Sequence, residues 1–188
     1  MNELGETVVI QRCLKGDREA FGMLVEKYQT LIFGTAYLMT HDRPMAEDAV
    51  QESLIKMWRY LPSLKHPDRF KAWMLKIVVS QVKQQGRKKK SLVTLEHITE
   101  PATDPDEIDC MLIQNEMHRE LAQAIGGLST EQREVVVLRY FSGLTIPEIA
   151  AATGWREGTV KSRLSRTLDR LSEVLRTDEN RGGKGVMP

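Results

Sequence analysis

The residues of this sequence best placed to do chemistry would hold nucleic acid rather than break bonds. Between Glu157 and Leu171, Thr159, Ser162, Arg163 and Arg166 share one side of a helix, flanked by Lys161 and Ser165. Arginine reads guanine edges and pairs with phosphates, while serine and threonine serve either target. A second set, Lys76, Ser80, Lys83 and Arg87, recurs at i, i+4, i+7 and i+11, and the run Arg87–Lys90 prolongs its charge. It lies beside an apolar stripe of Phe70, Trp73, Met74, Ile77 and Val78. Rings next to cations suit single-stranded nucleic acid, with bases stacking and cations following the backbone. Phe70 reads as core, and Trp73 reads equally as core or as a stacking surface. A third set, Asp48, Gln51, Glu52 and Ile55, lines one helical face at i, i+3, i+4 and i+7. Such an acidic face is ordinarily just solvated, but the apolar Ile55 within it suits a partner surface. No carboxylate pair, nucleophile–base pair or phosphate-cradling glycine loop stands out, so neither an enzyme nor a cofactor is expected. His41, His66, His97, His118, Cys13 and Cys110 are scattered, and a Cys110/His118 pair lacks further ligands, so no metal site is expected.

Short helices must position these groups. In LTIPEIAAATGWREGTVKSRLSRTLDRL, Leu144 to Leu171, Thr145 and Glu148 are spaced as a capping box with Pro147 in the first turn. A helix over about Ile146–Thr153 follows, Gly154 supplies the turn, and a second helix starts near Glu157. Its buried stripe is expected at Val160, Leu164, Leu168 and Leu171. The pattern is a helix-turn-helix, against the plainer reading of a helical hairpin with a basic face. Upstream, Leu24, Tyr28, Leu31, Thr35 and Leu38 share a face of a helix over about Arg18–Met39. A break at Thr40–Pro44 leads to a helix with Ala46, Ala49, Val50, Ser53, Leu54 and Met57 inward. Tyr60–Arg69, with two prolines, reads as a loop. Gly126–Gly127 ends one helix, Ser129 with Gln132 caps the next, and Tyr140–Gly143 reads as a turn.

The formal net charge of +1 conceals a pattern of +6 over residues 1–90, −7 over 91–118 and +2 over 119–188. Two basic blocks joined by an acidic strip point to nucleic acid. The expectation is an all-α chain of two small helical domains, 1–90 and 111–176, the latter holding the helix-turn-helix. A flexible acidic linker, 91–110, joins them, and a disordered tail, 177–188, follows. Apolar runs fall well short of the roughly 18 residues of a membrane span, and the N-terminus is not a secretory signal. Two cysteines without a C-x-x-C motif fit a reduced, cytoplasmic setting.

Three stretches carry a resemblance. AEDAVQESLIKMW, Ala46–Trp58, resembles the second-region helix of bacterial sigma factors, and FKAWMLKIVVSQVKQQGRKKK resembles the adjoining promoter-reading helix. LSTEQREVVVLRYFSGLTIPEIAAATGWREGTVKSRLSRTLDRL, Leu128–Leu171, resembles their fourth region. With two domains and a short linker, the chain is similar to the extracytoplasmic-function (ECF) class of the sigma-70 family. The resemblance implies a non-enzymatic factor that binds core RNA polymerase, through its beta and beta-prime subunits, and directs it to promoters. It assigns Asp48, Gln51, Glu52 and Ile55 to polymerase, and Lys65, Arg69, Trp73, Lys76, Ser80, Lys83 and Arg87 to the minus-10 element. Thr159, Lys161, Ser162, Arg163 and Arg166 fall to the minus-35 element. It further implies an anti-sigma partner, often membrane-anchored, that would hold the factor at the inner membrane face. The acidic linker would enter polymerase channels that later hold RNA. Where relatives carry A-R-N and a following Asp, this chain has Val78-Val79-Ser80 and Gln84, so no minus-10 preference is carried over. The alternative is a conventional helix-turn-helix regulator acting without polymerase binding, which leaves the acidic motif of the first block unexplained.

Overall fold

The computed structural model describes residues 3–93 and 125–182, and these are helical with no strand among them. Helix α1 spans Glu3–Leu14, α2 Arg18–Thr40, α3 Arg43–Tyr60 and α4 Phe70–Val93. The second block holds α5, Thr130–Val136, running into a π-helical turn at Val137–Phe141, then α6, Ile146–Thr153, and α7, Glu157–Gly182.

Local chemistry sets the boundaries. The Asp17 carboxylate accepts from the Ala20 N–H at 3.1 Å and starts α2. His41 ends α2 in the left-handed region, φ 51°, donating its N–H to the Tyr37 carbonyl. Asp42 then caps α3 by accepting from the Met45 N–H at 3.0 Å. Burial pushes the Asp42 carboxyl up, but Lys89 and that N–H together outweigh it and hold the group below its ordinary range. The expected loop at Tyr60–Arg69 is largely two 3₁₀ turns, Leu61–Ser63 and Pro67–Arg69, each with a proline in its first two positions. Ser129 and Gln132 form the expected capping box of α5.

Four expectations are corrected. The Ser142 N–H donates to the Val137 carbonyl five residues back, so Tyr140 and Phe141 continue the helix rather than begin a turn. On α7, Leu168 is 39% exposed, whereas Thr167 is fully buried. The inner stripe therefore runs Val160, Leu164, Thr167, Leu171 at i, i+4, i+7, i+11, and the Thr167 hydroxyl is satisfied by the Arg163 carbonyl at 2.7 Å. Helix α4 continues to Val93, three residues into the expected linker, and α7 continues to Gly182, into the expected tail. The rest of the linker, the weak helical pattern from Met111 to His118, Cys110 and the end of the tail lie outside the described residues.

The inward faces of α2 and α3 follow the periodicity. Leu24, Tyr28, Thr35 and Leu38 are buried, as are Ala46, Ala49, Ser53 and Met57. Helix α1 covers the start of α2 with Val9, Ile10 and the buried thiol of Cys13, whose pKa burial raises. Every residue from Gly34 to Met39 is buried, more than one helical stripe can explain. The second block packs there: the Thr35 and Ser142 hydroxyls lie 3.0 Å apart, and Arg133 reaches the Met39 carbonyl. One apolar cluster runs through both blocks, from Leu24 and Met74 to Leu138 and Ile149. Gly126 permits the approach, because a Cβ there would sit 2.9 Å from the His41 ring.

Candidate nucleic-acid interface

The acidic set sits where helical spacing puts it. Asp48, Gln51 and Glu52 are exposed on α3 and Ile55 is 50% exposed, opposite the buried Ala46–Met57 face. An apolar side chain half in water and ringed by acceptors can meet a basic partner surface with an apolar centre.

The basic stripe divides. Lys65, Arg69, Lys76, Ser80 and Arg87 are exposed, and Trp73 is half-buried. Phe70 is core, 2% exposed, its ring 5.7 Å from that of Tyr28 and 5.9 Å from that of Trp73. Lys65, Arg69, Trp73 and Lys76 line one wall of a cleft of about 570 Å³, and Pro147, Glu148 and Ala151 of α6 line the other. Lys83 is not free. Its ammonium lies 2.7 Å from Glu134 Oε1, donates to the Thr153 carbonyl at 3.2 Å and sits 5.1 Å from the centroid of the Trp155 ring.

The helix-turn-helix forms as its capping signals require. The Glu148 carboxylate accepts from both the N–H and the hydroxyl of Thr145, at 2.8 and 2.6 Å. Gly154, φ 80°, ends α6 with its N–H on the Ala150 carbonyl. On α7, Lys161 and Arg166 are exposed, and Thr159 and Ser162 are half-buried, the Ser162 hydroxyl donating to the Thr159 carbonyl. Arg163 departs from the expected reading face. Its guanidinium lies 4.1 Å from the Trp155 ring centroid and 2.8 Å from Glu131, and its Nη1 is buried without a hydrogen-bond partner.

Three residues absent from the sequence-based site therefore matter: Glu131, Glu134 and Trp155. Glu134 is 3% exposed, and burial pushes its carboxyl pKa up against the opposing pull of Lys83. Its sequence signal is an acid abutting the apolar run Val135–Leu138.

Comparison with known proteins falls on the same two blocks. A Sigma-70 region 2 model matches residues 24–92, and a Sigma-70 region 4 model matches residues 118–171. The chain is similar to the RNA polymerase sigma-H factor of Pseudomonas aeruginosa, 29% identical over 180 residues, covering 89% of this chain and 92% of that one. It is 28% identical to the ECF RNA polymerase sigma-E factor of Haemophilus influenzae, covering 92% and 96% of the two chains. Among solved structures, sigma factor RpoE of Bartonella quintana, in complex with the anti-sigma factor NepR, superposes with a TM-score of 0.68 at 29% identity, covering 84% of this chain and 98% of that one. CnrH in complex with the cytosolic domain of CnrY gives 0.67 at 25% identity, covering 92% and 98%.

Proposed function

This chain belongs to the sigma-70 family, as an ECF sigma factor that binds core RNA polymerase and directs promoter-specific initiation, and we propose the residues that divide this work. Residues 1–90, as region 2, dock on polymerase through Asp48, Gln51, Glu52 and Ile55. They read and melt the minus-10 element with Lys65, Arg69, Trp73, Lys76, Ser80, Lys83 and Arg87. Residues 111–176, as region 4, read the minus-35 element with Thr159, Lys161, Ser162 and Arg166. Arg163 joins them only if it leaves Trp155. The factor works by binding, without catalysing a reaction of its own, and acts in the cytoplasm. An anti-sigma protein is its regulator, by analogy with NepR, the anti-sigma factor bound to RpoE. Among the described residues no helix is long and apolar enough to cross a membrane.

The observation that carries the reading is the pairing, in one chain and in family order, of an exposed acidic α3 face with a capped helix-turn-helix. A regulator acting alone needs only the second. The test is reconstitution: core polymerase plus this chain should transcribe from promoters that core alone ignores. If the chain binds duplex DNA but neither binds nor redirects core, the regulator reading replaces it.

Three variants resolve the DNA contacts. Lys65→Ala with Arg69→Ala should lower open-complex formation about tenfold more than closed-complex binding, because an unstacked base costs a few kcal/mol that cleft contacts must offset. Permanganate footprints of equal intensity at equal occupancy would contradict this. Arg166→Ala should cost about 1–3 kcal/mol at one minus-35 position if its guanidinium is bidentate to a base. Arg163→Ala should instead lower thermal stability, by about 1 kcal/mol, through loss of the Trp155 stack. A melting temperature equal to the parent's, with position-specific loss of binding, would return Arg163 to the reading face.

A further inference from the structure

We propose that Glu6 and Tyr28, neither of which lines the cleft, are positioning residues for minus-10 recognition: helix α1 is the platform that sets Trp73 and the two 3₁₀ turns. This rests on the reading of Trp73 and the turns as promoter-facing, and the two can fail separately.

The inner face of α1 runs Glu6, Val9, Ile10 and Cys13, at i, i+3, i+4 and i+7. The last three are buried, and the first is a carboxylate that reaches α2. Both of its oxygens are engaged. Oε1 accepts from the Tyr28 hydroxyl at 2.7 Å, and Oε2 pairs with the Lys27 ammonium. That ammonium also lies 5.1 Å from the centroid of the Tyr28 ring. Burial pushes the Tyr28 phenol pKa up, which keeps the hydroxyl a donor. Apolar contact alone would hold α1 on α2, but it has no direction. A hydrogen bond at the far end of Tyr28 fixes the ring between its own Cα and Glu6.

That ring is the first of three in line. Its centroid lies 5.7 Å from that of Phe70, and the Phe70 centroid lies 5.9 Å from that of Trp73, with tilts of 50° and 36°. Of the three, Trp73 lines the cleft. Phe70 is buried in close packing, so it cannot tilt without displacing a neighbour. Its N–H donates to the Pro67 carbonyl and closes the second 3₁₀ turn, directly after Arg69. Helix α1 also touches both turns. Lys65, Arg69 and Trp73 thus share one support, whose outer end is Glu6. Recognition groups must be held within about 0.5 Å by such supporting packing and hydrogen bonds.

The test is the affinity of holoenzyme, this chain reconstituted with core polymerase, for a labelled single strand. The strand carries the minus-10 segment of a promoter that the reconstituted enzyme transcribes. Tyr28→Phe keeps the ring and deletes only the hydroxyl, and it should weaken binding about fivefold, as should Glu6→Ala. Glu6→Gln keeps an acceptor for Tyr28 and loses only the charge pair with Lys27, so it should stay within about twofold of the parent. Thermal melting and far-UV circular dichroism of each free chain set a measuring temperature at which every variant is folded. Simple loss of stability then leaves affinity unchanged. The decisive readout is the double-mutant cycle with Trp73→Ala: in that background Tyr28→Phe should weaken binding no further. Parent affinity in Tyr28→Phe, an equal loss with and without Trp73, or Glu6→Gln as weak as Glu6→Ala would each overturn the proposal. Parent affinity in Trp73→Ala alone would overturn the reading of Trp73 as a stacking surface, and the proposal with it.

Discussion

Reversing Asp48 and Glu52 to lysine is expected to weaken capture of core polymerase about a hundredfold, equivalent to about 2.7 kcal/mol. Like charges brought together across an interface cost several kcal/mol, so two reversals on one face suffice for that loss. The fold should not notice. Both side chains are exposed, and the packing of α3 is carried by Ala46, Ala49, Ser53 and Met57 on the opposite side. Substitutions at such exposed positions usually change stability by about 0.5 kcal/mol or less. Ile55, half in water within the face, supplies an apolar centre that screening does not weaken, whereas the carboxylate contribution should fall as salt rises. Affinity measured across a salt titration, beside thermal melting, separates the two. Unchanged capture of core by the double variant would remove this face from the polymerase interface.

Much of this architecture was legible because it is local. Capping at Ser129 and at Thr145, the turn at Gly154 and the inward face of α3 follow from spacing within a few residues. The acidic face was legible for the same reason, since solvent imposes no further condition on it. What was not legible depends on the other half of the chain. Leu168 and Thr167 exchange places because α5 and α6 determine which side of α7 is covered, and Thr167 can be buried once the Arg163 carbonyl accepts its hydroxyl. Lys83 and Arg163 have the periodicity of reading residues. Periodicity cannot reveal that Glu134 and Glu131 lie opposite them in space. Glu134 gave a hint, being an acid set against an apolar run, but its partner is 51 positions away.

The sharpest division between packing and recognition should come from Phe70 and Trp73, three residues apart on α4. Phe70→Ala should cost about 3–5 kcal/mol of folding stability, the usual range for an emptied aromatic site in a core. Its ring is 2% exposed, lies against Tyr28 of α2, and anchors the first turn of the helix that carries the basic stripe. Domains of this size have only about 5–15 kcal/mol to lose, so the variant should melt many degrees lower and lose promoter and polymerase binding together. Trp73 is half-buried and faces the cleft with Lys76, so Trp73→Ala leaves less of a void and should cost less stability. Its loss should fall on single-stranded minus-10 binding, where one base stacked on a ring contributes about 1–3 kcal/mol. Trp73→Phe keeps a π face and should recover most of that binding. The measurements are thermal melting and oligonucleotide affinity on the same preparations. Equal destabilisation by Phe70→Ala and Trp73→Ala, with no binding deficit left once the unfolded fraction is accounted for, would make Trp73 a core residue and leave the cleft without its stacking surface.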